Sequence, residues 1–233
     1  MECKYCGQDC RRSGRQRNGT QRYCCKGCLK YQQENYRYRA CNRMTDNYIR
    51  SLSCESVGIR GIARVLGVAK GTVANRIQLL AKGIKRPALN QAATFEVDEL
   101  WTYIGRKEDE YWIAYALNRK TRQVVDFVIG KRTKSTLKEL IDRLLLSNPK
   151  IIRTDRLTVY QRIIPKELHR SGSYCINRIE RKNLSIRTHL KRLSRRTICF
   201  TRSIHMLESC LSYISGDRMH FCVTPFPKQG AGQ

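Results

Sequence analysis

The chain has 233 residues, 41% of them hydrophobic, with 46 Lys and Arg against 19 Asp and Glu for a formal charge of +27. That much apolar material excludes wholesale disorder and suffices for one or two packed cores, while the charge calls for a polyanionic partner, the phosphate backbone of nucleic acid above all. No apolar run approaches the roughly 18 residues of a membrane span, and MECKYC at the start has no hydrophobic signal core, so the expectation is a cytoplasmic protein without a membrane partner.

Six of the twelve cysteines crowd the first 28 residues, while Cys41, Cys54, Cys175, Cys199, Cys210 and Cys222 are scattered. Without a secretion signal the cluster reads as a metal site and the scattered six as reduced thiols. Cys3-x-x-Cys6 and Cys25-x-x-Cys28, 18 residues apart, have the spacing of two knuckles that close a four-thiolate zinc site. Such a site leaves no position for water, so the zinc is structural. Cys24 is an alternative to Cys25, and Cys10 a spare thiol; both read as non-ligands. Asn18-Gly19 marks a hairpin turn between arginine-bearing segments, which predicts a zinc ribbon over residues 1–40 that presents cations to DNA.

Residues 41–84 contain the outline of a helix-turn-helix. Ile62, Ala63 and Leu66 line one helix, Gly67-Val68 makes the turn, and Val73, Ile77 and Leu80 form the buried stripe of the next. Lys70, Thr72, Asn75, Arg76 and Gln78 fall on outer faces, the first of them placed to enter the major groove. Ala69 stands where a capping Ser or Thr usually opens the second helix. A plain αα-hairpin is the competing reading. Residues 85–92, around Lys85-Arg86-Pro87, read as a linker.

The middle of the chain is nearly neutral, +2 over residues 93–150 against +14 before and +11 after. ATFEVDELWTYI, EYWIAYALN and QVVDFVIG are rich in β-branched and aromatic residues and predict three consecutive antiparallel strands. Leu137, Leu140, Ile141, Leu144 and Leu145 then follow a helical period, with Thr136 and Glu139 as an expected capping box and Asn148-Pro149 as the stop. KIIRTD is a fourth strand. Strands, a helix and a further strand make an α/β layer over residues 93–215, and residues 216–233 read as a loose tail.

Three acids stand out on this basic background. Asp155 is the sole acid between Asp142 and Glu167, and Glu180 the sole acid between Glu167 and Glu208, among nine Lys and Arg from Arg178 to Arg202. With Asp98 in FEVDELW they are candidates for one divalent-metal site, since hard cations take carboxylates and two of them, about 3.5–4 Å apart, activate both oxygens of a phosphodiester exchange. If the first and fourth strands are neighbours, Asp98 and Asp155 reach one point. Ile179, Ile186, Leu190 and Leu193 predict a helix on which Glu180, Asn183 and Arg187 share a flank. Lys182, Lys191, Arg192, Arg195 and Arg196 are then left for phosphates. Glu96 and Glu99 are rivals to Asp98, and each acid has an ordinary reading as a turn cap or surface ion pair.

The chain resembles the transposases of the insertion-sequence-one family, in the wider class of DDE transposases. The resemblance rests on CxxC...YCCKGC, the helix-turn-helix outline, DELW at 98–101, TDRLTVY at 154–160, and above all IERKNLSIRTHLKRLSRRTICFTRS at 179–203. It implies an RNase H-like catalytic domain holding two Mg²⁺ or Mn²⁺ on Asp98, Asp155 and Glu180, with Asn183 and Arg187 as the polar residues that follow the third acid. It favours Asp98 over its rivals. It implies end cleavage and strand transfer without a covalent enzyme intermediate, recognition of terminal inverted repeats by the front region, a target duplex as second substrate, and a homodimer or larger synaptic assembly on the nucleoid. Arg156 departs from the small residue often found after the second acid. Two other readings compete: a DNA-binding regulator without catalysis, and a tyrosine recombinase built on Arg187, His189, Arg192 and Tyr213.

Overall fold

A computed structural model describes residues 1–36, 38–42, 44–172, 174–194, 197 and 199–215. The tail expected over 216–233, with Cys222, lies outside them. The front of the chain is a three-stranded antiparallel sheet of β1 (Cys10–Arg15), β2 (Gln21–Cys25) and β3 (Tyr31–Gln32). Its first turn closes through Gln16 N–H to Thr20 O and Gly19 N–H to Gln16 O, both 2.9 Å, with Gly19 at φ 77°. A side chain at that φ is strained, which is why glycine follows Asn18 there.

Three helices follow: α1 (Met44–Cys54), α2 (Ile59–Leu66) and α3 (Lys70–Lys82). Gly67, at φ 62°, ends α2, and Val68 N–H reaches back to Ala63 O at 3.0 Å. That six-residue closure is the Schellman arrangement, and it buries Val68 against the same core as Ile62 and Ala63. Ala69 provides no cap for α3. The Tyr38 hydroxyl stands in, accepting from Ala69 N–H at 3.3 Å and bonding Thr72 Oγ1 at 2.9 Å.

The second sheet has five strands in the order β6-β5-β4-β7-β8. The strands β4 (Thr94–Tyr103), β5 (Glu110–Asn118) and β6 (Val124–Gly130) are antiparallel neighbours, as their spacing along the chain predicts. β7 (Ile151–Thr154) lies parallel to β4 on its other side, and β8 (His169–Ser171) lies parallel to β7. Helices α4 (Lys134–Leu145) and α5 (Thr158–Ile163) cover one face, where Leu137, Leu140, Ile141, Leu144 and Tyr160 pack on Phe95, Val97, Ala116 and Ile152. Burying each such Leu or Ile is worth about 1.5–3 kcal/mol before conformational entropy is charged.

The opposite face carries α6 (Asn177–His189) and α7 (Ile204–Ser215). Leu100, Ile113, Tyr115 and Leu117 of the sheet share one core with Ile179 and Ile186 of α6, Leu207 and Leu211 of α7, and Ile49, Ile62, Val73 and Ile77 of α1–α3. The three-helix region is thus built onto the sheet layer. Tyr213 seals the contact by donating to Ile77 O at 2.9 Å. Between the two regions, residues 85–92 have no regular secondary structure, but Arg86 pairs with the buried Asp126 of β6 and lies over the Phe127 ring.

Two sequence expectations need correction. The helix α4 opens three residues earlier than a Thr136–Glu139 box requires: its N-cap is Thr133, whose Oγ1 accepts from Thr136 N–H at 3.3 Å, and Glu139 pairs instead with Arg143 at 3.0 Å. The apolar stripe through Leu190 and Leu193 does not continue one helix. α6 ends at His189, and Leu193 reaches the core from a 3₁₀ turn, Lys191–Leu193, so the apolar contacts survive a change of backbone path. Among the described residues, no helix is long and apolar enough to cross a membrane, and the cysteines are free thiols.

Candidate active site and metal centres

The side chain of Asp98 leaves the middle of β4, and Asp155 follows the last residue of β7. Register sets them side by side: Thr94, Phe95 and Glu96 pair with Ile151, Ile152 and Arg153, and two further places along are Asp98 and Asp155. Carboxylate oxygens of Asp98, Glu99 and Asp155 all lie within 4.8 Å of one another. Asp155 is held by Leu157 N–H on its Oδ1 at 3.0 Å, while Thr154 Oγ1 bonds both the Asp155 carbonyl and His169 Nε2 at 2.8 Å.

Asp98 is wired to α6. Its Oδ2 accepts from Asn183 Nδ2 at 2.6 Å, its Oδ1 accepts from Glu99 N–H at 2.8 Å, and Tyr115 donates its hydroxyl to Asn183 Oδ1 at 2.6 Å. Burial raises the Asp98 carboxyl from 3.8 to about 6; Glu99 N–H and Asn183 oppose the rise, and the charges of Glu99 and Asp155 add to it. Acids brought together at this cost, with only oxygen donors among them, fit a hard divalent cation, which would relieve both the burial and the repulsion.

Glu99 belongs to the cluster and is also engaged elsewhere. Tyr160 of α5 donates to its Oε1, and Arg132 Nη2 lies 3.0 Å from its Oε2. Glu96 has a different task. It is fully buried, and its Oε2 accepts from Ile179 N–H at 2.9 Å, in the first turn of α6, while Arg119 Nη1 stands 3.5 Å from Oε1. A carboxylate there satisfies an orphan donor and meets the positive end of the helix. The Ile179–Glu96 and Asn183–Asp98 bonds together set the level of α6 on β4. From Glu96 to Asp98 is about 6.8 Å of strand, and from Ile179 to Asn183 about 6 Å of helix, so helix and strand run alongside in step.

Glu180 lies on the first turn of α6, exposed, on the flank of Asn183 and Arg187. It is not one of the three gathered carboxylates. Arg187 Nη1 donates to Leu193 O at 3.3 Å, which ties α6 to the 3₁₀ turn after it. Of the expected phosphate contacts, Lys70 and Asn75 are exposed on α3, and Thr72 is bonded to Tyr38. Arg76 does not look outward as expected: it pairs with Asp46 of α1 at 2.9 Å and donates to Ala40 O at 3.3 Å. Lys191 and Arg192 sit in the 3₁₀ turn, Arg192 donating to Thr201 Oγ1 at 3.4 Å. Arg195 and Arg196 lie outside the described residues. Tyr213 is buried, and burial above all pushes its hydroxyl well up from its ordinary value, which disfavours it as a nucleophile.

At the front, Cys3, Cys6, Cys25 and Cys28 place their sulfurs within 4.8 Å of one another, with Cys3–Cys28 at 3.6 Å and Cys6–Cys25 at 3.4 Å. Zinc–sulfur bonds of about 2.3 Å in a tetrahedron require sulfurs about 3.7 Å apart, so the four thiols fit zinc. Backbone N–H groups of Gly27 and Cys28 point at Cys25 Sγ, both at 3.4 Å, and the Cys28 N–H chiefly draws that thiol down to about 6. Cys24 follows the strand alternation to the other face, where its thiol lies 3.7 Å from Leu29 O.

The sequence reading had Glu96 and Glu99 only as rivals to Asp98, and had no role for Tyr115 or Tyr160. One signal was present: acids at consecutive positions of a strand whose neighbours are Phe95, Val97 and Leu100 must enter the core on both faces, and buried acids need partners.

Comparison with known proteins places this geometry. The sequence model described as IS1 transposase matches residues 92–221. The InsB protein of the iso-IS1n insertion element of Shigella dysenteriae is 40% identical over 116 residues, half of this chain and 88% of that protein. InsB of IS1 from Shigella flexneri is 35% identical over 118 residues, 51% of this chain and 90% of that protein. A simian T-cell lymphotropic virus intasome in complex with a PP2A regulatory subunit aligns over 72% of this chain and 64% of its own, at 16% identity and a TM-score of 0.38, too remote to bear on fold or function. On the family match and the extent of the InsB similarity, the chain belongs to the IS1 transposase family and is a DNA transposase.

Proposed function

We propose that the chain cuts the ends of its own insertion element and joins them to target DNA by metal-dependent DDE chemistry on an RNase H-like sheet. The strand order β6-β5-β4-β7-β8, an antiparallel meander continued on its β4 side by the parallel strands β7 and β8, supports that fold reading. The observation that carries the chemical reading is the meeting of the Asp98 carboxylate, from the middle of β4, with that of Asp155, just past the end of β7. Asp98, Asp155 and Glu180 are the residues that would hold two Mg²⁺ or Mn²⁺. When bound, such ions activate an attacking oxygen and stabilise a leaving one at a phosphodiester.

The chain's own residues do the rest. Asn183 keeps the Asp98 carboxylate oriented, Glu96 fixes the level at which α6 brings Glu180 to the sheet, and the cations after Glu180 hold the DNA strand. Glu99, with both oxygens engaged by Tyr160 and Arg132, acts as a brace beside the metal ligands. In this reading residues 1–40 form a structural zinc ribbon and residues 41–84 a helix-turn-helix, which together recognise terminal inverted repeats through groups such as Lys70 and Asn75. Residues 93–215 form the catalytic domain, and two ends are synapsed by a homodimer or larger assembly in the cytoplasm, on the nucleoid.

The test is cleavage of a duplex carrying the element's own terminal sequence. Asp155→Asn and Glu180→Gln are each expected to lower Mg²⁺-dependent cleavage by more than 100-fold and leave specific end binding unchanged. Full cleavage by both variants would sink the proposed triad. A regulator without catalysis would show no cleavage in the parent chain either, and has no use for three carboxylates gathered around the half-buried, strained Asp98. Recombination through a phosphotyrosyl link is disfavoured by the buried, engaged Tyr213 hydroxyl.

A further inference from the structure

A second basic site lies at the foot of α6, away from the carboxylates. A cavity of about 540 Å³ is lined by residues 90–94 at the start of β4, by Asn118–Thr121 in the turn after β5, and by Arg178 of α6. Three cations converge there: Arg119, Lys120 and Arg178. Backbone carbonyls hold the two guanidinium groups, Arg178 donating to Arg119 O and Arg119 to Cys175 O at 3.4 Å. The only acid paired with any of the three among the described residues is Glu96, 3.5 Å from Arg119 and itself bonded to Ile179 N–H. The site therefore keeps a positive excess, and the geometry that holds it is independent of any ligand.

Asn118, on the wall of the cavity, fixes the turn that carries Lys120. It is only 3% exposed, and its Oδ1 accepts from the N–H groups of Lys120 and Thr121 at 2.9 and 3.2 Å. Ala92, on the same wall, is held at φ 52°, an unusual conformation for a residue with a side chain, by its N–H bond to Asn148 O at 3.1 Å. A pocket with excess positive charge and two guanidinium groups held in place by backbone carbonyls selects an oxyanion.

We propose that this pocket binds one backbone phosphate of the DNA strand whose cleavage Asp98, Asp155 and Glu180 direct, and so sets the register of that strand along α6. The proposal rests on the transposase chemistry proposed above. Thr94, on the pocket wall, and Asp98 are four strand residues apart, about 13 Å, which puts the bound phosphate on the order of two to four nucleotides from the scissile one.

The test uses the full chain and duplexes of its terminal sequence in which single phosphates are replaced by uncharged methylphosphonates. For the parent chain, one replacement two to four nucleotides from the cut is expected to weaken binding about 10-fold. In the paired Lys120→Gln and Arg178→Gln variant that replacement costs less than 2-fold, replacements elsewhere keep their parent effects, and the slope of log affinity against log salt falls by about 1. Equal interference in parent and variant at every position overturns the proposal, as does a parent chain with no sensitive phosphate in that interval. If instead millimolar inorganic phosphate stabilises the parent and not the variant against heat while the interference patterns match, the pocket serves a free anion and the proposal is wrong. Binding is read without cleavage, so loss of catalysis in the parent would count against the triad and leave this test standing. Melting of the variant within 2 °C of the parent excludes misfolding, because both replaced side chains are exposed.

Discussion

Asn183 Nδ2 donates to Asp98 Oδ2 at 2.6 Å, and this bond ties the first acid itself to the helix that bears Glu180. Asn183 is itself oriented by the Tyr115 hydroxyl at 2.6 Å, so the sheet, the amide and the carboxylate form one chain of donors.

Replacing Asn183 by Ala removes a donor to a buried carboxylate, a bond worth about 1.5–3 kcal/mol. Cleavage is expected to fall about 10- to 100-fold, and the acid limb of the pH–rate profile to move to higher pH, because the Asp98 carboxyl loses a group that holds its pKa down. Tyr115 keeps a partner in Ile179 O at 3.1 Å, so the fold survives. An unmoved pH profile would assign Asn183 a purely structural role.

Without a divalent cation, Asp98 should weaken the fold at neutral pH. Its carboxyl titrates at about 6 in the folded chain against an ordinary 3.8, so between those values the folded state holds a proton that the unfolded state has released. Stability therefore declines as pH rises from about 4 to 6, and about 2–3 kcal/mol is lost above that window. Asp98→Asn should abolish this decline and raise the midpoint of urea unfolding at pH 7.5, measured in magnesium-free buffer with zinc retained. No difference between the parent and the variant would mean that the carboxyl is not strained by its setting.

Glu96 is predicted to matter as much for α6 as for the sheet. Glu96→Gln keeps an acceptor for Ile179 N–H but leaves Arg119 without its acid, whereas Glu96→Ala orphans both. Unfolding by urea should show a loss of about 1 kcal/mol for the first and about 3 kcal/mol for the second. Cleavage should follow the same order. A cleavage loss in Glu96→Gln as large as that of Asp155→Asn would instead make Glu96 a direct participant.

Zinc stoichiometry separates neighbouring cysteines. Cys25→Ser should release the metal and weaken end binding before catalysis is touched, since four thiolates close the site. Cys24→Ser and Cys10→Ser should both keep one zinc per chain. Metal loss from Cys24→Ser would show that the two adjacent thiols exchange roles.

Much of this protein was legible along the chain because periodicity and spacing are local properties. The alternation in β4, β5 and β6, the stripe of α4, and the x-x spacing of the cysteine pairs each follow from the geometry of one element. So did the meeting of Asp98 and Asp155, which needs only that β7 lie beside β4. The isolation of Glu180 on a basic run was likewise a property of the sequence, with its placement on a helix flank beside Asn183 and Arg187.

What only the tertiary structure decided concerns groups whose partners are distant in the chain. Glu96 and Ile179 are 83 residues apart, Tyr38 and Ala69 are 31, and Arg76 and Asp46 are 30. The sequence favoured Asp98 and kept Glu96 and Glu99 as rivals without roles of their own; packing separated the three, since each met a different neighbour: the first turn of α6, the amide of Asn183, and the pair Tyr160 and Arg132. A buried charge must be matched locally in space, and space near a central strand is filled by whatever the fold brings there. Period and composition carry no record of that choice.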